Sequence, residues 1–134
     1  LLRAQALRQV GLFDPRFFMY VEDADLALRL RKKGWSLAYL PIESILHHQK
    51  GTGYELDSQV SLLLRRNAVY FLRKHNRRIE AWALALANLG LALARASVAT
   101  SKDQLRHRLR FCRALWREFR SALSAASQSE RHGS

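Results

Sequence analysis

The sequence of 134 residues has little cysteine, proline or glycine: one, two and six residues, respectively. The single cysteine, Cys112, excludes a disulfide within the chain and a cysteine-based zinc site, which fits a reducing compartment. So few prolines and glycines leave little room for long linkers. The longest apolar run covers residues 81–94 and includes Asn88, whereas a membrane-spanning helix needs about 20 residues. We therefore expect a buried or interfacial helix there.

Acidic residues are also scarce, 11 against 23 Lys and Arg, which gives a formal net charge of +12. Such a balance favours anionic partners: nucleic acid, acidic lipid or nucleotide phosphates. The apolar share of 49% is that of a globular protein and excludes a largely disordered polymer. The start, Leu1-Leu2-Arg3, lacks the features of a signal peptide and opens in mid-pattern. We therefore expect the sequence to be part of a longer chain.

Apolar spacing and helix-end residues predict five helices. They cover residues 3–10, 24–33, 56–75, 79–97 and 102–126. Alternating side chains predict a strand at 36–40, ended by Pro41, and a second short strand at 44–47. The expected fold class is therefore α/β.

A shift in composition near Arg66 divides the chain, because short mixed elements precede it and basic helices follow it. We expect an α/β domain at 1–66, a helical basic extension at 67–126 and a disordered tail at 127–134.

Three carboxylates, Glu22, Asp23 and Asp25, fall within four residues at the start of a predicted helix. Acidic residues there stabilise a helix, so helix capping is one interpretation. A general base is the other, since a carboxylate at a helix start can accept a proton from a hydroxyl nucleophile. The D-x-D pattern of Asp23 and Asp25 also matches divalent-metal sites, although so short a pattern often arises by chance.

Two adjacent histidines, His47 and His48, lie at the end of the second predicted strand. Adjacent strand residues point to opposite faces, so we expect at most one of them to ligate a metal ion. A structural role is the alternative for either. The remaining histidines, His75, His107 and His132, lie among arginines and are interpreted as surface residues.

The segment from Gly11 to Trp35 reads GLFDPRFFMYVEDADLALRLRKKGW. It resembles the family 2 glycosyltransferases, in particular the bacterial rhamnosyltransferase-like branch, with its signature G-x-F-D-x-x-F-F-x-Y-x-E-D-x-D-L-x-x-R-x-x-x-x-G-W. In that family a strand, a proline and a V-x-H-H segment follow, matched here by Leu40-Pro41 and residues 45–48. The resemblance covers residues 1–53 and, more loosely, the helix at 66–75.

The resemblance implies an inverting transferase with a GT-A fold, of which this sequence is the C-terminal, acceptor-side part of the catalytic domain. Asp23 is the implied base, which deprotonates the acceptor hydroxyl as a nucleotide diphosphate leaves. Glu22 and Asp25 would position the base or the acceptor. The implied donor is a nucleotide sugar, and the implied acceptor is a glycan or polyprenyl-linked sugar in cell-envelope polysaccharide synthesis.

The resemblance also implies a divalent metal, Mg²⁺ or Mn²⁺, at the donor diphosphate in the full-length enzyme. His47 is the better positional match for the metal-binding histidine, His48 is the alternative, and Thr52 stands near the family's serine in the following loop. The family's metal-binding D-x-D and nucleotide-binding strands are expected upstream of Leu1. We therefore expect catalysis to need that upstream half, because positioning both reactants is much of the rate enhancement.

The predicted helix at 102–126 carries an apolar stripe with 4-3-4-3-4 spacing and arginines one position further on. The stripe consists of Leu105, Leu109, Cys112, Trp116, Phe119 and Leu123. The stripe either packs on its own domain or lies on anionic lipid. The residues assigned to the membrane surface are Arg106, Arg110, Arg113, Trp116, Arg117, Phe119 and Arg120. A lipid-linked acceptor favours the membrane and a cytoplasmic, peripheral location on the inner face of the plasma membrane.

Two classes without catalysis compete with this interpretation. The charge of +12 permits a basic helical module that binds membranes or nucleic acid. Nucleic acid is the less favoured partner, because the arginines adjoin an apolar stripe and no zinc-finger, RNA-recognition or homeodomain signature is present. In a purely structural helical domain, the contexts of Glu22, Asp23 and His47 would be accidental.

Overall fold

The computed structural model describes residues 1–39, Pro41 and 59–129, with side chains described as far as Ser124. The chain divides into two compact units, Leu1–Thr52 and Gly53–Ser134. The first contains the helices α1 (Ala4–Val10) and α2 (Glu22–Lys32). The second contains α3 (Gln59–Lys74), α4 (Arg78–Ser97) and α5 (Lys102–Ser129).

The predicted α/β class is wrong, because the described residues form helices and irregular segments and no strand. A GT-A fold needs a central sheet, and the described part of the chain contains none. Residues 36–39, predicted as a strand, have no neighbouring strand among the described residues. Alternating side chains do not make a strand unless the backbone N–H and C=O groups find partners. The second predicted strand, 44–47, lies outside the described residues.

The five predicted helices are confirmed, each with bounds close to those expected. Two bounds bear on the predicted domains: α3 runs through Arg66, and α5 continues to Ser129. The division at residues 66 and 67 remains a prediction.

The core of the first unit lies between its two helices. Ala6 of α1 packs with Leu26 and Leu30 of α2, which lie one turn apart on one helix face. Leu7, Val10 and Trp35 pack at the edge of this core. Gly11 ends α1 with a φ of 78°, a positive value that favours glycine, and donates its N–H to the carbonyl of Leu7 at 2.8 Å.

In the second unit, each of the three helices contacts the other two. The largest fully buried apolar side chains are those of Val69 on α3 and of Leu115 and Phe119 on α5, all with 0% exposure. Polar side chains add links between the helices. Arg65 of α3 donates to the side-chain oxygen of Asn88 on α4.

Further polar links connect α5 to the other two helices. Arg73 of α3 donates from Nε to the carbonyl of Leu123 at 3.3 Å, and Arg108 donates to the carbonyl of Arg95 on α4. These bonds fix how the helices meet because they satisfy polar groups inside the contacts.

Helix α4 buries its small side chains and exposes its large ones. The inner face consists of Ala81, Ala85, Ala92 and Ala96, none more than 6% exposed. The outer face carries Ile79, Trp82, Leu86 and Leu93, which are 83%, 46%, 58% and 48% exposed. By length and composition α4 could cross a membrane, and only 22% of its most apolar stretch is buried. Helix α4 is therefore buried on one face only, and its interfacial role remains a prediction.

The apolar stripe predicted on α5 is divided by the packing. Its members Cys112, Phe119 and Leu123 are buried, whereas Leu105, Leu109 and Trp116 remain between 37% and 40% exposed. The buried face also includes Phe111, Leu115 and Ala122, because a helix that contacts two neighbours buries more than one narrow stripe. The assignment of Phe119 to a membrane surface is therefore wrong, since its side chain is fully buried.

The starts of α5 and α4 show how the sequence caps these helices. A capping box begins α5: the Oγ of Ser101 accepts the N–H of Gln104 at 3.1 Å. The side chain of Gln104 reaches back to the N–H of Thr100 at 2.8 Å. At the start of α4, backbone hydrogen bonding and the 3.1 Å hydrogen bond from Arg77 lower the pKa of Glu80.

We predict that Phe119→Ala destabilises the second unit by about 3–5 kcal/mol, because it leaves a cavity where α5 meets its neighbours. The matched substitution Trp116→Ala, on the same helix but 40% exposed, should cost no more than about 1 kcal/mol. Urea unfolding of the whole chain, followed by circular dichroism, measures both. Equal losses in the two variants would contradict the division of the stripe.

Candidate functional site

The three carboxylates at the start of α2 occupy three different environments. Asp23 is exposed, and its Oδ1 accepts the N–H of Ala24 at 2.7 Å. Glu22 is half-buried, and its Oε2 is buried with no hydrogen-bond partner among the described residues. Asp25 is fully buried. Of the three, Asp23 is the carboxylate most accessible to a second molecule.

Asp25 is held by Arg29, one turn further along α2. The Arg29 Nε donates to Asp25 Oδ2 at 2.8 Å, and the two side chains are 18% and 0% exposed. A buried carboxylate is tolerated when an opposite charge and hydrogen bonds compensate its desolvation. Asp25 is thus committed to the packing of α2, and its role in positioning the base or the acceptor remains a prediction.

Arg29 also binds the backbone that follows α1. Its Nη1 donates to the carbonyls of Val10 and, at 3.3 Å, Gly11, and its Nη2 donates to Leu12 at 2.7 Å. The last carbonyls of a helix have no partner within the helix, so the guanidinium satisfies groups at the end of α1. Sequence analysis assigned Arg29 no role, although its spacing of four residues from Asp25 is the spacing of a helical ion pair.

The backbone that leads into α2 is strained at two successive residues. Tyr20 and Val21 have φ of 69° and 73°, in the left-handed region. A β-branched residue is rare there, because its Cβ crowds the backbone. Strain of this kind persists where surrounding contacts hold it, and it clusters at functional sites. It falls immediately before Glu22 and Asp23, and no sequence pattern indicated it.

The loop between α1 and α2 exposes large apolar side chains. Leu12, Phe13 and Phe18 are 71%, 53% and 83% exposed. Within the loop, Asp14 Oδ1 accepts the N–H of Arg16 at 3.0 Å and stabilises the turn. The segment preceding the carboxylates therefore presents an apolar surface, which sequence analysis did not identify.

The described residues do not by themselves provide a metal site. Within the described ranges, no three His, Cys, Asp or Glu side chains are grouped so that they could hold an ion. Asp25, one of the nearby carboxylates, is bound to Arg29. His47, His48 and Thr52 lie outside the described residues, so their assignments remain predictions.

The exposed face of α5 carries five arginines in a 4-3-4-3 spacing, here called the arginine row. The row consists of Arg106, Arg110, Arg113, Arg117 and Arg120. Its first three members, with Asp103 and Leu109, line a surface cavity of about 510 Å³. The row lies on the side of α5 away from the buried Leu115. Leu109 lines the same cavity, and Trp116 lines a second cavity with Arg117 and Arg120. The arginines therefore adjoin exposed apolar side chains of the stripe, as the sequence predicted.

Comparison with known proteins relates part of the chain to sugar transferases. Over 77 residues, 57% of the chain, it is 39% identical to the N-acetylglucosaminyl-diphospho-decaprenol L-rhamnosyltransferases of two Mycobacterium tuberculosis strains. The chain spans about a quarter of the length of these curated relatives, since the matched segment is 25% of each. No family model and no solved structure matches the chain. The chain is thus a partial relative of glycosyltransferases.

We predict that Arg29→Ala opens the first unit, because it leaves Asp25 buried without its counter-charge and frees the carbonyls after α1. Breaking a buried ion pair costs about 3–5 kcal/mol. Hydrogen exchange read by mass spectrometry should show faster exchange in α2 and at residues 10–12, with α3 to α5 unchanged. Arg31→Ala, an exposed arginine on the same helix, is the control and should leave exchange in α2 unaltered. Similar exchange in both variants would contradict the role of Arg29.

Proposed function

We propose that this chain is the acceptor-side part of a glycosyltransferase that moves a sugar from a nucleotide-diphosphate donor to a hydroxyl of a lipid-linked acceptor. The observation that carries the proposal is the 39% identity over 77 residues to the mycobacterial rhamnosyltransferases. Their name states an N-acetylglucosaminyl-diphospho-decaprenol acceptor. We extend to this chain the class of acceptor, a polyprenyl diphosphate that carries a sugar, and a role in cell-envelope polysaccharide synthesis.

Asp23 acts in this proposal as the general base. It removes the proton from the acceptor hydroxyl while the oxygen attacks the anomeric carbon, and the nucleotide diphosphate leaves from the opposite side with inversion. Its exposure supports the role, since a base must come within hydrogen-bond reach of its proton. The exposed Phe13 and Phe18 provide an apolar surface on the segment that precedes it.

Glu22 and Asp25 take separate parts in the proposal. Glu22, which is half-buried and directly precedes Asp23, positions the base or the acceptor. Asp25 acts through Arg29, because this pair fixes α2 against the end of α1 and so fixes where Asp23 lies.

We further propose a cytoplasmic protein that is peripheral on the inner face of the plasma membrane and uses a divalent metal, Mg²⁺ or Mn²⁺, at the donor. A lipid-linked acceptor favours such a location, because its polyprenyl chain stays in the bilayer. His47 is the proposed metal ligand in the full-length protein, with His48 as the alternative, and Thr52 lies in the proposed donor loop. No step above depends on the metal.

We predict that Asp23→Asn in the full-length protein lowers turnover by roughly two orders of magnitude or more, because the base is lost. Nucleotide-sugar binding, followed by calorimetry, should be nearly unchanged. Transfer of labelled sugar to a polyprenyl-diphosphate-linked N-acetylglucosamine measures the turnover.

The matched control is Glu80→Gln, which neutralises another exposed carboxylate in the first turn of a helix. It separates catalysis from helix stabilisation, because both variants weaken a helix start but only one removes the base. Near-normal turnover of Asp23→Asn, or an equal loss in both variants, would overturn the assignment.

We predict that His47→Ala weakens divalent-metal binding in the full-length protein and His48→Ala does so less. The reason is that adjacent strand residues point to opposite faces, and His47 is the better family match. Titration of Mn²⁺ in the presence of donor, read by electron paramagnetic resonance, reports binding without reliance on activity. A loss in His48→Ala alone would show that the assignment is displaced by one residue.

A further inference from the structure

Within the described residues, no apolar surface covers the outer face of α4, and its large apolar side chains are exposed. Between Trp82 and Ala94 the sequence contains no charged residue, and Asn88 turns inward to Arg65. A helix packed on one side by a soluble domain normally buries its large apolar residues and exposes polar ones. Here alanines are buried, and Ile79, Leu86 and their neighbours are exposed. A continuous apolar face of this kind marks an interaction site.

The charge of the neighbouring helix indicates what covers this face. Helix α5, which contacts α4, carries seven basic and two acidic residues, and its arginine row is exposed. Nucleic acid would bind the arginine row but leave the outer face of α4 in water. A second copy of the chain would bring one arginine row toward another. An anionic bilayer is complementary to both features, because it offers phosphate groups beside hydrocarbon.

The contact between α4 and α5 also determines the orientation of α4 in such a bilayer. Although α4 is long and apolar enough to cross a membrane, α5 packs beside it and carries the arginine row over residues 106–120. A spanning α4 would draw these arginines into the hydrocarbon, which is strongly unfavourable. A helix lying in the plane of the membrane avoids this, since its apolar face enters the acyl chains while the long arginine side chains reach the headgroups.

We propose that α4 and α5 form a membrane-docking surface: the outer face of α4 inserts in the membrane plane, and the arginine row of α5 binds anionic headgroups. This deepens the peripheral location proposed above and moves the inserting element from α5 to α4. The surface uses no residue of the sugar-transfer site. Vesicle binding and sugar transfer are therefore separable in experiment.

The test uses the whole chain and vesicles of phosphatidylcholine, either alone or with about one third phosphatidylglycerol. In sedimentation with vesicles, the chain binds the anionic vesicles, and added salt weakens the binding. The variant Arg106→Gln/Arg110→Gln/Arg113→Gln reduces the affinity by roughly a hundredfold, at about fivefold for each arginine. The charge control is Arg31→Gln on α2, which leaves the affinity unchanged.

Apolar insertion is tested with Ile79→Ser/Leu86→Ser/Leu93→Ser, which alters only exposed positions and so preserves the helical circular dichroism. It abolishes vesicle binding, whereas Leu37→Ser, an equally exposed leucine of the first unit, does not. Orientation is read from a chain whose only tryptophan is introduced by Leu86→Trp, with Trp35, Trp82 and Trp116 replaced by phenylalanine. Lipids brominated near the headgroup quench it more strongly than lipids brominated near the chain end.

Three results would overturn the proposal. Binding that is unaffected by the α4 variant removes the outer face from the surface, and stronger quenching near the chain ends indicates a spanning helix. Tight binding to duplex DNA without vesicle binding, lost in the arginine variant, makes α5 a nucleic-acid surface. Self-association abolished by the α4 variant, again without vesicle binding, makes the outer face an interface between copies. None of these results bears on sugar transfer, which is tested separately by the turnover of the Asp23→Asn variant.

Discussion

The guanidinium of Arg29 is the contact on which the first unit depends. It balances the buried charge of Asp25 and binds the carbonyls of Val10, Gly11 and Leu12. The planar fork of arginine suits this task, because its several donors can serve a carboxylate and a chain of carbonyls at once. The end of α1 is thereby joined to the middle of α2. One side chain, that of Arg29, therefore links the two ends of the loop that leads to Glu22 and Asp23.

The sequence predicted the helices well because their signals are local. Apolar spacing, acidic residues at the start of α2 and glycines such as Gly11 and Gly34 at helix ends all act over a few residues. The predicted strand was wrong over its described residues, 36–39, because a strand depends on a partner that its own residues do not encode. The stripe predicted on α5 is buried at only half of its positions. Residue spacing shows that a helix has an apolar side, but it does not show which part of that side packs against the neighbouring helices.

The candidate site shows the same limit. A run of three carboxylates marked the start of α2, but their different roles follow from burial, which separates an exposed Asp23 from a buried Asp25. The left-handed backbone at Val21 could not be predicted, because its residue type argues against that conformation. Such a conformation persists only where the surrounding structure holds it, and a residue's own type does not encode that structure.

The alanine face of α4 has a consequence for how the second unit comes apart. Each buried alanine removes little apolar surface from water, whereas α3 and α5 bury the larger side chains of Val69, Leu115 and Phe119. Cooperative units of a protein open in the order of the contacts that hold them. We therefore expect α4 to detach first, which gives a partially unfolded state in which α3 and α5 stay paired. In water that state bares both faces of an apolar helix and favours aggregation.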